Sequence, residues 1–316
     1  MFELLKKRGL SEYISDTFTF FKIFGKHFFK NYIIINGGFL LILCVLMYFL
    51  FKVYFEVLFS VSGAPSGSYF LEYFNNNFGI FIGSIILFGV LIIILSLLNI
   101  AYPILYLQLI EEKGGNNFTA SDVIVLLKQN TGRLLKFFIG SVFILFPIMI
   151  ISFVILLLLC FILIGIPLIM IAMPAFITWG HLSLYTCLIE KKGFFESIKK
   201  GFSLLKQEFW AITGTTFIML MLIQIVQGFI TMIPYMIGMI LFFTSANASQ
   251  FNVSQPDGLS TLGIFITVVF LFAIILSYLF NNLIIVNQGI IYYSLREENE
   301  NLTSVSQIDL IGTDNE

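Results

Sequence analysis

The chain has 316 residues, of which 59% are hydrophobic and only 11% are charged, and its mean hydropathy is +0.99. Soluble domains carry about 25% charged residues, so this composition excludes an ordinary soluble protein. The formal net charge is −1, and such a balanced charge gives no reason to expect nucleic acid as a partner.

Six apolar runs are long enough to cross a bilayer, which requires about 18 residues or more. These predicted transmembrane helices lie at about 31–59, 78–110, 137–162, 167–189, 211–243 and 261–295. Several exceed the roughly 20 residues that one crossing needs. We therefore expect helices that are tilted or kinked, or that continue beyond the bilayer.

An amphipathic stretch precedes each odd-numbered span, at residues 10–29, 121–136 and 194–209. Thr119 and Asp122 have the spacing of a capping box before the second stretch. An apolar face opposite a basic face is typical of helices in the membrane interface, and helices that fold back on the bundle are the alternative. The basic residues expected to face lipid headgroups are Lys22, Lys26, Lys128, Arg133, Lys199 and Lys200.

A short phrase, Tyr-x-x-Leu-x-Glu, recurs at the end of each even-numbered span. Its tyrosines and glutamates are Tyr106 and Glu111, Tyr185 and Glu190, and Tyr292 and Glu297. Such self-similarity predicts one membrane hairpin used three times. The predicted repeats cover about 10–114, 118–193 and 194–298.

The predicted fold is therefore an all-α integral membrane protein with six transmembrane helices. These helices form three pseudo-repeated units, each a cytoplasmic interfacial amphipathic helix followed by a transmembrane hairpin. Residues 1–298 would form a single membrane domain. The tail at 299–316 is polar and acidic, and we expect it to be disordered.

The position of the glutamates at the end of each phrase needs a physical explanation. Each lies where a helix ends, at the negative pole of the macrodipole, and a carboxylate there costs about 0.3–1 kcal/mol if the helix stops at that point. One hypothesis is that Glu111, Glu190 and Glu297 pair with Lys or Arg of the amphipathic helices. The alternative is that the helices continue past each Glu and that the repeat only records duplication.

The distribution of basic residues predicts the orientation. Every Lys and Arg except Lys52 lies within 1–30, 111–136 or 191–206, or at Arg296. Cytoplasmic segments carry the Lys and Arg excess, so both termini are expected in the cytoplasm. The abundance of Phe, Ile and Asn suits an AT-rich bacterial genome, which indicates the inner membrane of a bacterium.

Polar residues within the spans have two interpretations. They could line a polar cavity, or they could form interhelical hydrogen bonds, which we favour. The residues concerned are Asn99, His181, Gln224, Gln227, Asn287 and Gln288. No catalytic motif is present, and two histidines are too few for a histidine-rich metal site. We therefore predict no catalytic residue, no cofactor and no metal.

Residues 193–217 begin Gly-Phe-Phe-Glu-Ser-Ile-Lys-Lys-Gly-Phe-Ser-Leu-Leu-Lys-Gln-Glu-Phe-Trp. This segment resembles bacterial multi-pass proteins of the kind found as the membrane domain of glycerophosphodiester phosphodiesterases, and related families of unknown function. In those proteins, a short amphipathic helix ends in an aromatic residue and enters a span. A separate soluble domain performs their chemistry, and too few residues follow 298 for one here. The resemblance therefore implies no catalytic residue.

Two functions follow from these observations. The first is a non-enzymatic scaffold or accessory subunit whose basic helices bind anionic lipid headgroups or a membrane-protein partner. The second is a transporter or channel for a small molecule or lipid, with a polar path through the bundle. A continuous polar track would favour transport, whereas polar residues paired between helices would favour the scaffold.

Overall fold

The computed structural model describes the backbone of residues 2–60, 66–247 and 256–300, and most of their side chains. Helices account for nearly all of these residues. They are α1 Leu10–Ser60, α2 Ser66–Lys113, α3 Ala120–Gly140, α4 Phe146–Leu159, α5 Gly165–Ile189, α6 Phe194–Gln207, α7 Phe209–Asn247 and α8 Pro256–Glu300. Residues 301–316 of the predicted disordered tail lie outside the described residues, and 299–300 belong to α8.

Among the described residues, six helical segments are long and apolar enough to cross a membrane. They are Leu10–Phe51, Phe78–Lys113, Ala120–Leu159, Gly165–Ile189, Phe209–Ile240 and Phe265–Glu300. The prediction of a helical protein with six membrane-spanning segments is confirmed by their length and composition. The segments Leu10–Phe51 and Ala120–Leu159 begin well before the predicted spans at 31–59 and 137–162, because they include the amphipathic residues that precede those spans.

Only one of the three predicted amphipathic stretches is a separate helix. Residues 10–29 form the first part of α1, and 121–136 lie in α3, which continues through a π-helical turn into α4. In contrast, α6 ends at Gln207, and Glu208 leaves the helical region with φ −127° and ψ 47°. The capping box before the second stretch is confirmed, because the Asp122 carboxylate accepts a hydrogen bond from the Thr119 N–H at 2.8 Å.

The π-helical turn, Ser141–Leu145, ends two residues before Pro147. A proline inside a helix has no N–H and its ring clashes with the carbonyl four residues earlier, here that of Phe143. The wider turn accommodates this clash without ending the helix. After α4, a short 3₁₀ turn leads to Leu163, whose positive φ of 61° reverses the chain into α5.

Large apolar side chains lie on the surfaces of the long helices. Within the described structure no residue of α4 is buried, and Phe143 and Phe161 beside it are 75% and 89% exposed. A contiguous apolar surface of this kind is a liability in water. Lipid would cover it, so the exposure agrees with a multi-pass membrane protein.

The chain divides into two compact units. The first unit comprises Met1–Tyr32, Ile100–Met221 and Asn282–Glu316, and the second comprises Ile33–Asn99 and Leu222–Asn281. The first unit contains all three copies of the repeated phrase. Its core is rich in fully buried tyrosines, which are Tyr13, Tyr32, Tyr102, Tyr106, Tyr185, Tyr292 and Tyr293. A buried tyrosine hydroxyl usually needs a hydrogen-bond partner, so this core is held together by specific contacts as well as by apolar area.

Candidate functional site: an ion-pair cluster at three helix ends

The ends of α2, α5 and α8 meet in the first unit, where they form one network of charged side chains. We call this network the ion-pair cluster. Its members are Glu111, Glu190, Lys192, Lys200, Tyr292, Arg296 and Glu300. Residues from all three copies of the repeated phrase therefore come together at one place.

Glu190 is the most highly connected member of the cluster. Lys200 Nζ lies 2.7 Å from its carboxylate and Lys192 Nζ lies 2.8 Å from it. The Tyr292 hydroxyl donates to Glu190 Oε1 at 2.8 Å. Lys200 belongs to α6, so this contact is of the kind that the pairing hypothesis proposed for the glutamates.

The chain turn after α5 brings Lys192 back to the helix end. Glu190 is the C-cap residue of α5, and Lys191 adopts the left-handed conformation with φ 58°. A left-handed residue at this position is a common helix stop, although glycine usually occupies it. The two lysine ammonium groups also offset the negative pole of the helix, where an unpaired carboxylate would be unfavourable.

The hydrogen bonds of Glu190 determine its protonation. Burial by itself would raise the pKa of the Glu190 carboxyl, but hydrogen bonds from Lys192, Lys200 and Tyr292 outweigh it, so the pKa lies below the ordinary 4.5. The same contact raises the pKa of Lys192. Glu190 is therefore a carboxylate at neutral pH, and it keeps the ion pairs charged.

Arg296 connects the rest of the cluster. Its Nη1 lies 2.8 Å from Glu111 Oε1, and its Nε lies 3.0 Å from Glu300 Oε2. Lys200 Nζ is 3.8 Å from Glu300 Oε1, which closes the network at its longest distance. Glu111 thus pairs with α8 instead of an amphipathic helix. Glu297 of the third copy is buried.

The cluster contains a residue that sequence analysis did not select. The first two copies of the phrase have Ile110 and Ile189 before the glutamate, whereas the third has Arg296. This departure from the repeat was the available signal. Its partner Glu111 is 185 positions away, and no local pattern could have connected the two residues.

The three tyrosines of the phrase are all buried, but their hydrogen bonds differ. Tyr106 contacts His27 Nδ1 on α1 at 2.8 Å, Tyr185 donates to the Ile285 carbonyl on α8 at 2.8 Å, and Tyr292 donates to Glu190. The rings of Tyr185 and Tyr292 stack at 5.3 Å. The recurring tyrosine is therefore buried in the core in every copy, but its hydrogen-bond partner differs from one copy to the next.

Close packing between α5 and α6 positions Lys200 against Glu190. A Cβ added at Gly201 would lie 2.7 Å from Ser183 N and 2.8 Å from Ser183 Cα, so only glycine permits this approach. The Trp179 indole N–H donates to the Ile198 carbonyl at 3.0 Å and holds α6 against α5. These contacts bring α6 close enough for a direct ion pair.

Most of the predicted headgroup-facing residues are free to contact lipid. Lys22, Lys26, Lys128 and Lys199 are exposed, whereas Arg133 is half-buried and donates to Asn130 Oδ1 at 3.3 Å. Lys200 lies in the ion-pair cluster, where its ammonium group is engaged by Glu190. The exposed basic surface of α6 therefore depends on Lys199 and Lys206.

In the first unit, two residues of the predicted polar cavity make hydrogen bonds between helices. Asn287 Nδ2 donates to the Tyr13 carbonyl at 3.1 Å and to Thr17 Oγ1 at 2.9 Å. Gln288 Nε2 donates to Thr216 Oγ1 at 2.8 Å. His181 is half-buried, and its ring lies near the backbone of Ile177 on its own helix.

The remaining three residues of that prediction belong to the second unit. Gln227 donates to Ser277 Oγ and to the Ala273 carbonyl. Asn99 is buried. Gln224 is exposed, so its place along a polar cavity stays a prediction.

Among the described residues, no group of three or more His, Cys, Asp or Glu could hold a metal ion. Comparison with protein-family models, with curated proteins and with solved structures gave no match. The candidate site therefore has to be interpreted from its own geometry.

Proposed function

We propose that this chain is a non-enzymatic multi-pass protein of a bacterial inner membrane, built from three pseudo-repeats, with both termini in the cytoplasm. The segregation of Lys and Arg into three regions and Arg296 supports this orientation. The recurrence of Tyr-x-x-Leu-x-Glu supports the repeats. The resemblance of residues 193–217 to the membrane domain of glycerophosphodiester phosphodiesterases agrees with a membrane part that performs no chemistry.

The proposed role is that of a scaffold or accessory subunit that binds anionic lipid headgroups through α6, and a membrane-protein partner could share this surface. The observation that carries it is the exposed basic and aromatic surface of α6 and the start of α7. Lys199 and Lys206 are exposed, and Lys206 Nζ lies 4.6 Å from the centre of the Phe202 ring. Phe195 and Trp210 are 72% and 71% exposed. Cations beside exposed aromatic rings are typical of a surface at the headgroup level.

The transport alternative is less well supported. A transport path needs polar groups that remain available to a substrate. Asn287 and Gln288 instead donate hydrogen bonds to neighbouring helices, and Gln227 does so within the second unit. Such bonds commonly hold membrane helices together, so we rank the scaffold first.

Trp210 provides a direct test, because the chain has only two tryptophans and Trp179 lies in the contact between α5 and α6. The protein is reconstituted into vesicles that contain brominated phosphatidylglycerol or brominated phosphatidylcholine at equal mole fraction. Bromine quenches only a tryptophan that it approaches closely. We expect stronger quenching by the anionic lipid, and we expect the excess to disappear in Lys199→Gln/Lys206→Gln.

The Trp210→Phe variant is the control that assigns the signal. It should leave only the fluorescence of the half-buried Trp179, so the excess quenching by the anionic lipid should be lost with Trp210. Equal quenching by the two lipids, or an excess that survives the lysine substitutions, would contradict headgroup binding by α6.

A further inference from the structure

A cavity of about 160 Å³ lies beside the ion-pair cluster. Glu190, Lys200, Arg296 and Glu300 line it together with the amides of Gln207 and Asn299. All six residues belong to the first unit. The cavity is separate from the exposed lysines of α6, so headgroup binding by that surface does not account for it.

The charges around the cavity balance. Two carboxylates, Glu190 and Glu300, face two cations, Lys200 and Arg296. A free anion would be attracted by the two cations but repelled by the two carboxylates, and a free cation would be attracted by the carboxylates but repelled by the cations. A ligand that carries both charges can satisfy the two sets at once. The electrostatics therefore favour a zwitterion.

Several groups at the cavity retain hydrogen-bonding capacity. Arg296 has five N–H donors, of which the two short contacts use Nε and one N–H of Nη1. Lys200 and Glu300 are 3.8 Å apart, which is too long for a hydrogen bond. This pair is the loosest contact of the cluster, so an inserted ligand would disturb the network least at this point.

The size of the cavity limits the ligand. An apolar cavity of about 150 Å³ accepts benzene, which has six heavy atoms. A phosphoethanolamine group has eight heavy atoms, slightly more than benzene, and carries a phosphate and an ammonium two carbons apart. The amide of Gln207 accepts a hydrogen bond from Asn299 at 3.0 Å, so the two amides add polar groups beside the charges.

We propose that the cavity binds a phosphoethanolamine group, with its phosphate on Lys200 and Arg296 and its ammonium on Glu300. The group could belong to a membrane lipid or to a small soluble zwitterion. The ammonium of ethanolamine has three N–H donors, whereas the trimethylammonium of choline has none. The site should therefore prefer ethanolamine to choline compounds.

The test uses the full-length protein purified in detergent, with binding measured by calorimetry. Glycerophosphoethanolamine and glycerophosphocholine are titrated as a matched pair. We expect the ethanolamine compound to bind about tenfold more tightly, which is the effect of one charge-assisted hydrogen bond. Glu300→Gln should abolish this preference. Glu298→Gln is the control, because it makes the same change on the exposed side of α8, outside the cavity lining.

The source of the group is resolved by a second arm, in which native mass spectrometry compares retention of phosphatidylethanolamine and phosphatidylcholine. Preferential retention of the ethanolamine lipid, lost in Glu300→Gln, assigns the site to a lipid headgroup. Binding of the soluble compound without lipid preference assigns it to a free zwitterion. No ethanolamine preference in either arm, or a preference that Glu300→Gln leaves intact, overturns the proposal.

Discussion

The contact between Glu190 and Lys200 can be tested by a double-mutant cycle with Glu190→Gln, Lys200→Gln and the double variant. The Glu190 and Lys200 side chains are 15% and 28% exposed, so both are partly removed from water. Hydrogen bonds to charged groups are worth about 1.5–3 kcal/mol, compared with about 0.5–1.5 kcal/mol between neutral groups.

Glu190→Gln keeps the size of the side chain and can still accept from Tyr292, but it removes the carboxylate that pairs with Lys192 and leaves Lys200 with only Glu300, at 3.8 Å. We expect it to destabilise the protein by about 2 kcal/mol, and Lys200→Gln by about 1.5 kcal/mol. The double variant should lose less than the sum, with a coupling energy of about 1 kcal/mol. A charge swap is less informative, because a lysine at position 190 would face Lys192.

Thermal stability is measured on the detergent-purified protein, with size-exclusion chromatography after heating to quantify the fraction that remains folded. For a chain of 316 residues, a loss of about 2 kcal/mol corresponds to a decrease of roughly 3 °C in the apparent Tm. Lys199→Gln is the control, because this neighbouring lysine is exposed, and its removal should change stability by less than about 0.5 kcal/mol. Additive effects of the two substitutions would refute the inference that the ion pair stabilises this helix end.

Three further predictions concern stability. Hydrogen bonds hold the pKa of Glu190 below its ordinary value. Its stabilising contribution is therefore present above the unfolded pKa of about 4.3 and is lost as pH falls through the folded pKa. Between about pH 6 and about pH 3, the apparent Tm of wild type should decrease more than that of Glu190→Gln. The added Cβ of Gly201→Ala would press against the Ser183 backbone, so this variant should lose about 1–3 kcal/mol of stability. Gly132→Ala on the amphipathic α3 is the control: no atom lies within 4 Å of its added Cβ, so it should be neutral or slightly stabilising. Equal heat stability of the two variants would be inconsistent with close packing of α5 and α6. Asn287→Ala removes two hydrogen bonds to α1 and should cost about 0.6–1.7 kcal/mol in the same heating assay, so an unchanged Tm would indicate that these bonds contribute nothing.

The helices could be predicted from the sequence because their signal is local. Runs of apolar residues set six membrane-spanning segments, and the spacing of Thr119 and Asp122 located the start of α3. The continuity of 10–29 with the rest of α1 was not predicted. No Pro or Gly separates Lys30 from the apolar run, so the helix has no reason to end there.

The ion-pair cluster could be predicted only in part. The glutamates of the repeated phrase were conspicuous because a carboxylate is unfavourable at a helix C-terminus. Their partners depend on which helix ends meet in space, and the pairing of Glu111 with Arg296 joins residues that are far apart in the chain. The orientation of Gln224 could not be predicted for a related reason, since hydropathy does not tell which side of a membrane helix faces its neighbours.

The most direct test of the proposed function is the lipid composition around the protein in its own membrane. The protein is extracted with a polymer that keeps the surrounding bilayer, and the co-purified lipids are quantified by mass spectrometry against the whole membrane. Each lysine near an anionic surface contributes about 1 kcal/mol, or roughly fivefold for the lipid beside it. We therefore predict an anionic fraction above that of the whole membrane, which decreases in Lys199→Gln/Lys206→Gln, while the exposed Lys22, Lys26 and Lys128 keep part of the enrichment. An anionic fraction equal to that of the bulk membrane in the wild-type sample would contradict the proposal.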